Sequence, residues 1–441
     1  MVSGKEPTLF GDFLFPKIFE TFRMSIQPTK LIITSLALAV ICLAGWLMDF
    51  NKTVVTKSEG LTELQIYLLS PDTFKIFIEK NVQPEDERIG VFSTLWHFSS
   101  EKFHGAVKSV IDLNITGVVE NIIDFFRAMV WAILYHFIYC IIYFAIILAV
   151  ISVAGGAVCR ITALQFAKGE KPGLTEALRF STKRFVSFFT APLAPVCIII
   201  FIGIFILLLG LTGNIPYAGE LLVGISMPFV LIAGALITVI LIGAFAGFNL
   251  LFPAVAYDGS DCFDAISRSF SYVYAKPWRM LLYTAVAAIY GSICYVFVRF
   301  FVFLMLIVTR WFLEIAIWTQ NSGREFDKLS VIWPRPEFMK LLGSPVSATR
   351  IWSETTGAFL VHIFLLIVVG LLVSFIISFF FSANTIIYAL MRYKVDNTAI
   401  DDIYMQFAEE TEPMTQEPKP GLEEPQAQES ESEPTPSPED K

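Results

Sequence analysis

The sequence predicts an all-α polytopic integral membrane protein: about six transmembrane helices, with two parallel span–amphipathic helix–span repeats at its centre. Three observations carry that expectation. Hydrophobic residues make up 55% of the 441 positions and charged residues 16%, with a mean hydropathy of +0.65; a soluble globular chain carries about 25% charged residues. The apolar residues fall into long runs, most of them matching or exceeding the roughly 20 residues that a helix needs to cross a bilayer. Two polar interludes between those runs echo each other. Residues 164–190 read LQFAKGEKPGLTEALRFSTKRFVSFFT and residues 252–279 read FPAVAYDGSDCFDAISRSFSYVYAKPWR. Glu176-Ala177-Leu178-Arg179-Phe180-Ser181 aligns with Asp264-Ala265-Ile266-Ser267-Arg268-Ser269, each after a glycine turn (Gly169 or Gly173, and Gly259) and before basic residues.

Taken in order, residues 1–29 form a cytoplasmic amphipathic segment. Phe13, Leu14, Phe15, Ile18, Phe19 and Phe22 share a helical face there, with Lys17 and Arg23 beside them, as in a helix lying in the bilayer interface. An uncleaved anchor follows at 30–49. Residues 50–126 are mixed, but Phe103, Val107 and Val110, then Val118, Ile122 and Phe126, recur at helical spacing. That period predicts a small helical cap outside the membrane. Residues 127–395 make a five-span core with interludes at about 157–185 and 252–279. Its first span covers 129–153, and its second, 186–211, has Pro192 and Pro195 in the opening turns. Its third, 221–251, carries Gly243-x-x-x-Gly247, a spacing that admits a closely approaching helix.

The apolar run 280–318 reads as one tilted helix, because nothing between Ile293 and Ile307 supplies a turn. Arg299 then lies near the outer interface, and Arg310 and Glu314 pair at i,i+4 on a lipid-surface continuation. An outer segment occupies 310–357, and the last span, about 358–381, continues as helix to Arg392. Ser374, Ser378, Ser382 and Asn384 stripe that span, as residues do that bond a neighbouring helix or line a polar path. Residues 396–441 read as a disordered acidic tail rich in proline and glutamate.

Charge fixes the orientation. The net charge is −8, yet residues 409–441 hold eleven Asp/Glu and two Lys, a net of −9, which leaves +1 on the other 408 residues. Basic residues cluster in the N-terminal segment, both interludes and Arg392/Lys394, whereas the loop 212–220 has none. The positive-inside rule therefore places both termini and both interludes in the cytoplasm, in a cell inner (cytoplasmic) membrane.

Within the second interlude Ser260 stands where a helix cap is needed, with Asp261 and Asp264 in the first turn. Asp264 and Arg268 are four apart and able to pair, and Phe263, Ile266 and Phe270 share a face. The interlude reads as a short helix on the cytoplasmic membrane surface, closed by Lys276-Pro277-Trp278-Arg279. In the first interlude Lys183 and Arg184 mark the corresponding exit. Lys183, Arg184, Asp264, Arg268, Lys276, Trp278 and Arg279 are thus the candidate interface or lipid-headgroup residues. Interfacial packing without any ligand is the plainer alternative.

The stretch GSDCFDAISRSFSYVYAKPWR with its following span, and the exit IIYALMRYKVDNTAIDDIY, resemble segments of uncharacterised bacterial multi-span membrane proteins. The turn-[DE]-A-[LI]-x-x-S pattern is similar, more distantly, to the membrane domain of bacterial glycerophosphodiester phosphodiesterases. The resemblance implies a helical integral membrane fold and no activity, since the catalytic domain of those phosphodiesterases has no counterpart in this chain.

A search for chemistry returns little. His136 and His362 fall inside predicted spans, where an ionisable side chain is a functional candidate by default. No Asp or Glu lies deep in a span to complete a relay with them. His97 and His104 are seven apart and could share a helix face as a metal pair, but no carboxylate or cysteine joins them at ligand spacing. The six cysteines include no CxxC pair, so a zinc ribbon or disulfide framework is not expected. Hydrolase and phosphate-cradling motifs are missing, and the scattered basic residues give nucleic acid no tract to bind. The expectation is a protein that is not an enzyme and holds no metal or cofactor. Its partners would be membrane lipids and a protein docking on the acidic tail, and its function to organise such partners or lipids at the cytoplasmic face. A transporter or channel for a small or lipidic molecule is the alternative.

Overall fold

The computed structural model describes residues 15–56, 62–71, 74, 87–317, 327–343 and 351–405. These residues are almost wholly helical, with one antiparallel strand pair, β1 (Val54–Thr56) and β2 (Glu87–Ile89). The chain opens on a 3-10 turn at Phe15–Phe19 and α1 (Glu20–Ser25), then α2 (Pro28–Met48). After β1 come α3 (Glu63–Leu69), β2, α4 (Val91–Ile111) and α5 (Ile115–Tyr135). The core follows as α6 (Phe137–Lys168), α7 (Leu174–Lys183), α8 (Phe185–Thr190), α9 (Leu193–Thr212), α10 (Ala218–Gly247) and α11 (Leu251–Asp258). It ends with α12 (Cys262–Ala275), α13 (Pro277–Ala316), α14 (Lys328–Ile332) and α15 (Trp352–Val395).

Among the described residues, six helices are long and apolar enough to cross a membrane: α2, α6, α9, the run Ala218–Asp258, α13 and α15. The predicted all-α polytopic membrane fold stands. Outward faces of the spans carry Phe201, Leu207, Leu241 and Phe301 at more than half exposure. Such surfaces are stable only when lipid solvates them, and lipid also removes the hydrophobic drive for helices to associate. Helix contact must then come from close packing and polar bonds.

Both are concentrated at one pole, where α2 begins and α6, α11 and α15 end. Small residues in the second half of α6, Ala154-Gly155-Gly156-Ala157, are buried there, and so is every residue of α15 from Phe381 to Arg392. A Cβ on Gly155 would stand 2.5 Å from the Phe381 ring, so only glycine lets α15 lie this close.

The two interlude helices, α7 and α12, are built alike. Each follows a helix capped by a left-handed glycine, Gly169 (φ 75°) before α7 and Gly259 (φ 62°) before α12, a conformation that costs glycine nothing. In each helix the fourth residue is a buried alanine (Ala177, Ala265) and the eighth a buried serine (Ser181, Ser269). Ser181 donates to the Ser152 and Val153 carbonyls at 2.9 and 2.7 Å, and Ser269 donates to the Gly247 carbonyl at 2.6 Å. Each serine also packs on a glycine of the preceding span, since a Cβ on Gly156 or Gly247 would fall 2.4 Å from the respective Oγ. The predicted close approach at Gly243-x-x-x-Gly247 is thus made by α12, with Phe270 against Gly243.

Several expectations need correction. The cap of α12 is Asp261, whose carboxylate accepts from the Asp264 N–H at 2.9 Å, rather than Ser260. The face that α12 buries is Ala265, Ile266, Ser269, Tyr272 and Val273, while Phe263 stays 65% exposed. Small and hydroxylated residues won that face because it meets helix backbone rather than lipid. The helices of the predicted 50–126 cap run on to Tyr135. They form a helical hairpin, α4–α5, lying along α13 and α15: Phe92 starts it against Gly45 of α2, and Phe103 reaches Tyr295 of α13 (ring centroids 5.3 Å). Strand pair and α3 cover its open end through a cluster around Val54, Leu64, Phe74 and Trp131. The predicted 186–211 span is broken after Thr190 into α8 and α9 at Ala191-Pro192. Residues 1–14 of the amphipathic segment, 318–326 and 344–350 of the outer segment, and 406–441 of the acidic tail lie outside the described residues.

If the glycine–serine contacts set the helix spacing, Gly247→Leu should destabilise the protein by about 1–3 kcal/mol through overpacking. Ser269→Ala should cost only about 1 kcal/mol. Thermal unfolding of the two variants in one detergent measures the difference; equal effects would remove the argument.

Candidate functional site

At the pole a single buried carboxylate joins three helices. Asp258, its side chain 6% exposed, ends α11. Arg268 of α12 pairs with it at 3.3 Å and Arg392 of α15 at 3.1 Å, and the Tyr388 hydroxyl donates to it. Arg268 returns to its own helix through Asp264 at 3.0 Å, the predicted i,i+4 pair. Arg392 extends the other way, donating to the Asp402 carbonyl at 2.6 Å and lying over the Tyr257 ring. Tyr272 donates to Asp396 at 2.5 Å, Tyr257 to the Ile400 carbonyl, and the Lys276 ammonium to the Lys394 carbonyl. Together these bonds fasten the segment after α15 back onto α11 and α12.

Buried cations lie elsewhere in the bundle. Lys30, 0% exposed, donates to Thr162 at 2.8 Å and Ser382 at 3.4 Å. Arg160 donates to the Ala256 carbonyl at 3.0 Å and lies 4.5 Å over the Phe180 ring. Arg310 does pair with Glu314 at 2.8 Å, but its guanidinium is buried and donates to the Trp333 carbonyl and Ser330, so α13 does not end on a lipid surface there. Arg299, also buried, donates to the Phe338 and Met339 carbonyls at 2.9 and 2.8 Å. It also donates to the Tyr295 hydroxyl at 2.5 Å. The segment 327–343 thus folds back over α13 to satisfy two arginines.

His104 completes the Arg299 group. Its Nε2 lies 2.5 Å from Arg299 and 2.7 Å from the Tyr295 hydroxyl, both of which donate, so Nε2 is the acceptor and Nδ1 carries the proton. Burial, and then the Arg299 charge, hold its pKa below the ordinary 6.5.

Beside this group the hairpin, α13 and α15 leave a cleft of about 350 Å³. Small residues of α13 (Ala287, Ala288, Gly291) form one wall, and Val110, Val118 and Ile122 of the hairpin face them. Phenylalanines 375 and 379 of α15 line another side. Its polar groups are confined to the ends and the α13 wall. Asn249 donates to the Asn384 side chain at 3.0 Å, and Asn384 to the Phe380 carbonyl at 2.9 Å, while Tyr295 belongs to the Arg299 group.

The predicted site residues fall into two sets. Asp264 and Arg268 join the Asp258 network, and Lys276 is drawn in to the end of α15. Trp278 is 81% exposed at the start of α13, as an interface anchor would be. Lys183 is exposed at the end of α7, and Arg184 and Arg279 are half-buried; each of the three has an interaction within the protein. His136 is not inside a span. It sits at the break between α5 and α6 (φ −129°, ψ 43°), its ring 5.0 Å from Trp131, and burial lowers its pKa. His362 is exposed on α15, and His97 is exposed while His104 is engaged, so neither suspected histidine pair shares a ligand position. Among the described residues no group of His, Cys, Asp or Glu is arranged to hold a metal ion.

No family model, curated protein or solved structure matches the chain. The reading of the site rests on its geometry.

That geometry missed detection in the sequence at two points. Asp258 lies past the predicted 221–251 span, within the interlude, and looked like part of a polar turn, and its partners lie 10 and 134 residues downstream. Lys30 read as an ordinary flanking residue of the first span, although it is closed over by α6 and α15.

Replacing Asp258 with Asn leaves the Arg392 guanidinium without its buried counter-charge, with only the 66% exposed Asp402 carboxylate at 3.4 Å remaining, which should cost up to roughly 3 kcal/mol. Thermal unfolding and protease cleavage near residue 400 read that loss, whereas Asp264→Asn, on the exposed side of Arg268, should cost under about 1 kcal/mol.

His104 and His136 both bind a proton less well folded than unfolded. Their contribution is therefore complete above about pH 6.5 and is lost as pH falls below that value. Stability should decline on acidification from pH 7 to 5, and His104→Gln should flatten the part of the decline that accompanies opening of the hairpin, followed by hydrogen exchange in residues 100–110.

Proposed function

We propose that this is a non-enzymatic integral membrane protein that organises lipids or protein partners at the face bearing α7 and α12, with both termini and that face in the cytoplasm of a bacterial cell. One observation carries the reading. Many of the polar side chains that the described spans turn inward are bonded across to one another or to backbone. Ser35 meets Ser374 at 3.0 Å, Ser378 donates to the Ser25 carbonyl at 2.9 Å, Thr162 and Ser382 share Lys30, and Asn249 meets Asn384. Groups tied off in this way stiffen a bundle and offer a hydrated solute few free partners. Lys183, Arg184, Trp278 and Arg279 border the same face, where cations and an exposed indole suit anionic headgroups. The resemblance of the 250–290 stretch to uncharacterised bacterial multi-span proteins agrees with this proposal, and an acidic tail suits docking of a basic protein partner.

The transporter reading has one observation of its own: the helix break at Ala191-Pro192 and Pro228 inside α10, interruptions of the kind that transporter spans carry. Water-soluble thiol reagents decide between the two readings, because transport requires labelling of a cysteine placed at Ser374 or Ser378 and the proposed function requires protection.

Extraction in native lipid discs followed by lipid analysis tests the function. Anionic lipid should be enriched over the bulk membrane, and the combined change Lys183→Glu, Arg184→Glu, Lys276→Glu and Arg279→Glu should abolish the enrichment. Bulk composition around the unaltered protein, with no co-isolated protein lost on removal of residues 409–441, would reject it. For topology, cysteines at Asp261 and Asn214 should label from opposite sides of the membrane.

A further inference from the structure

We propose that the cleft between the α4–α5 hairpin, α13 and α15 holds one acyl chain of a membrane phospholipid, an inference that rests on the lipid-organising function and gives it a site. Size is the first ground. At about 350 Å³ the cleft lies at the lower end of the range of small-molecule pockets, roughly 300–1,000 Å³. Chemistry is the second. The walls are chiefly methyl, methylene and ring carbons; Thr284, Ser292 and Tyr295 add hydroxyls, of which Ser292 donates to the Ala288 carbonyl at 2.9 Å and Tyr295 is bonded to Arg299 and His104. Asn249 donates to Asn384, and Tyr295, Arg299 and His104 are bonded to one another. Ordered water needs two to four polar partners, and a polar solute loses hydration that these walls do not restore.

Continuity is the third ground and selects the occupant. Phe103, Ile122 and Phe380 line the cleft and are still 38%, 45% and 46% exposed, so they form its rim. From that rim the exposed apolar surface runs on through Ile123 and Phe126 of the hairpin and Phe297 of α13. The mouth therefore opens on the surface that the spans present to lipid, and the phase at the mouth supplies acyl chains at the highest concentration of any apolar ligand. Small side chains on α13 make room for such a chain, while Gly291 is already filled by the Phe379 ring, 2.7 Å from where a Cβ would stand. Ala288, exposed and facing the cleft, is the position at which bulk fills the space without entering the α13–α15 contact.

The experiment uses the full chain in discs of phosphatidylethanolamine and phosphatidylglycerol doped with a phospholipid bearing a diazirine on one acyl chain. Illumination should place the crosslink on peptides from 103–122, 284–295 and 375–387. Ala288→Trp should lower crosslinking there by about tenfold. Leu207→Trp, on the exposed face of α9, should leave it unchanged. Crosslinks spread evenly over all lipid-facing helices, or site crosslinks indifferent to Ala288→Trp, would overturn the acyl site. Those results leave the headgroup enrichment of the discs intact, so failure of the site and failure of the lipid-organising function are read separately. If Ala288→Trp does not fold, the position of the crosslinks in the unaltered protein decides alone.

Discussion

The ion pairs of Asp258 are the constraint on which the pole depends. In a bundle whose spans face lipid, no difference in hydrophobicity separates helix from helix, and association must be bought with packing and polar bonds. Asp258 supplies the negative charge that allows Arg268 and Arg392 to be brought in from two other helices. Without it, the ends of α11, α12 and α15 would repel or seek water. With it, three helix ends and the segment to residue 403 share one fixed point. Lys30 and Arg160 add positive charge close by, held by hydroxyls, a carbonyl and a ring. Because the acid is the scarce member of this arrangement, it is the most sensitive one.

Close packing does the remaining work, and it is done by the smallest residues. Ser181 on Gly156 and Ser269 on Gly247 are two uses of one device: a hydroxyl donates to a carbonyl at a place where the missing Cβ lets two helices touch. The polar interludes thus become brackets that hold one span against the next. Their basic exits are left at the edge of the bundle, where the proposed headgroup contacts would form.

Much of the fold was legible. Long apolar runs place the spans because a helix across a bilayer has a fixed minimum length, and the Ala and Ser shared by the interludes at equal helical positions mark the faces that they bury. Gly243 and Gly247 signalled close approach before its partner was known. Less was legible of the hairpin. Its helical period showed a buried stripe, but period alone does not say what covers that stripe, and Val107 and Val110 turned out to face the spans rather than each other's layer. The buried arginines were misjudged for a related reason. Arg299 and Arg310 sit in an apolar run, and the carbonyls that satisfy them belong to residues 333–339, far along the chain and outside any recognisable motif. Apolar clefts leave no sequence signal at all, since Ala287, Ala288 and Gly291 look like any small residues in a span.

The 44-residue helix α15 carries a consequence for biosynthesis. Of the six described spans it is the one translated after the others, yet it supplies Ser382 to Lys30, Asn384 to Asn249, and Arg392 and Tyr388 to Asp258. Until it leaves the ribosome and inserts, the earlier spans are in the bilayer with those groups unclosed. The nascent protein therefore passes through a stage in which the five earlier described spans await the partners that α15 brings.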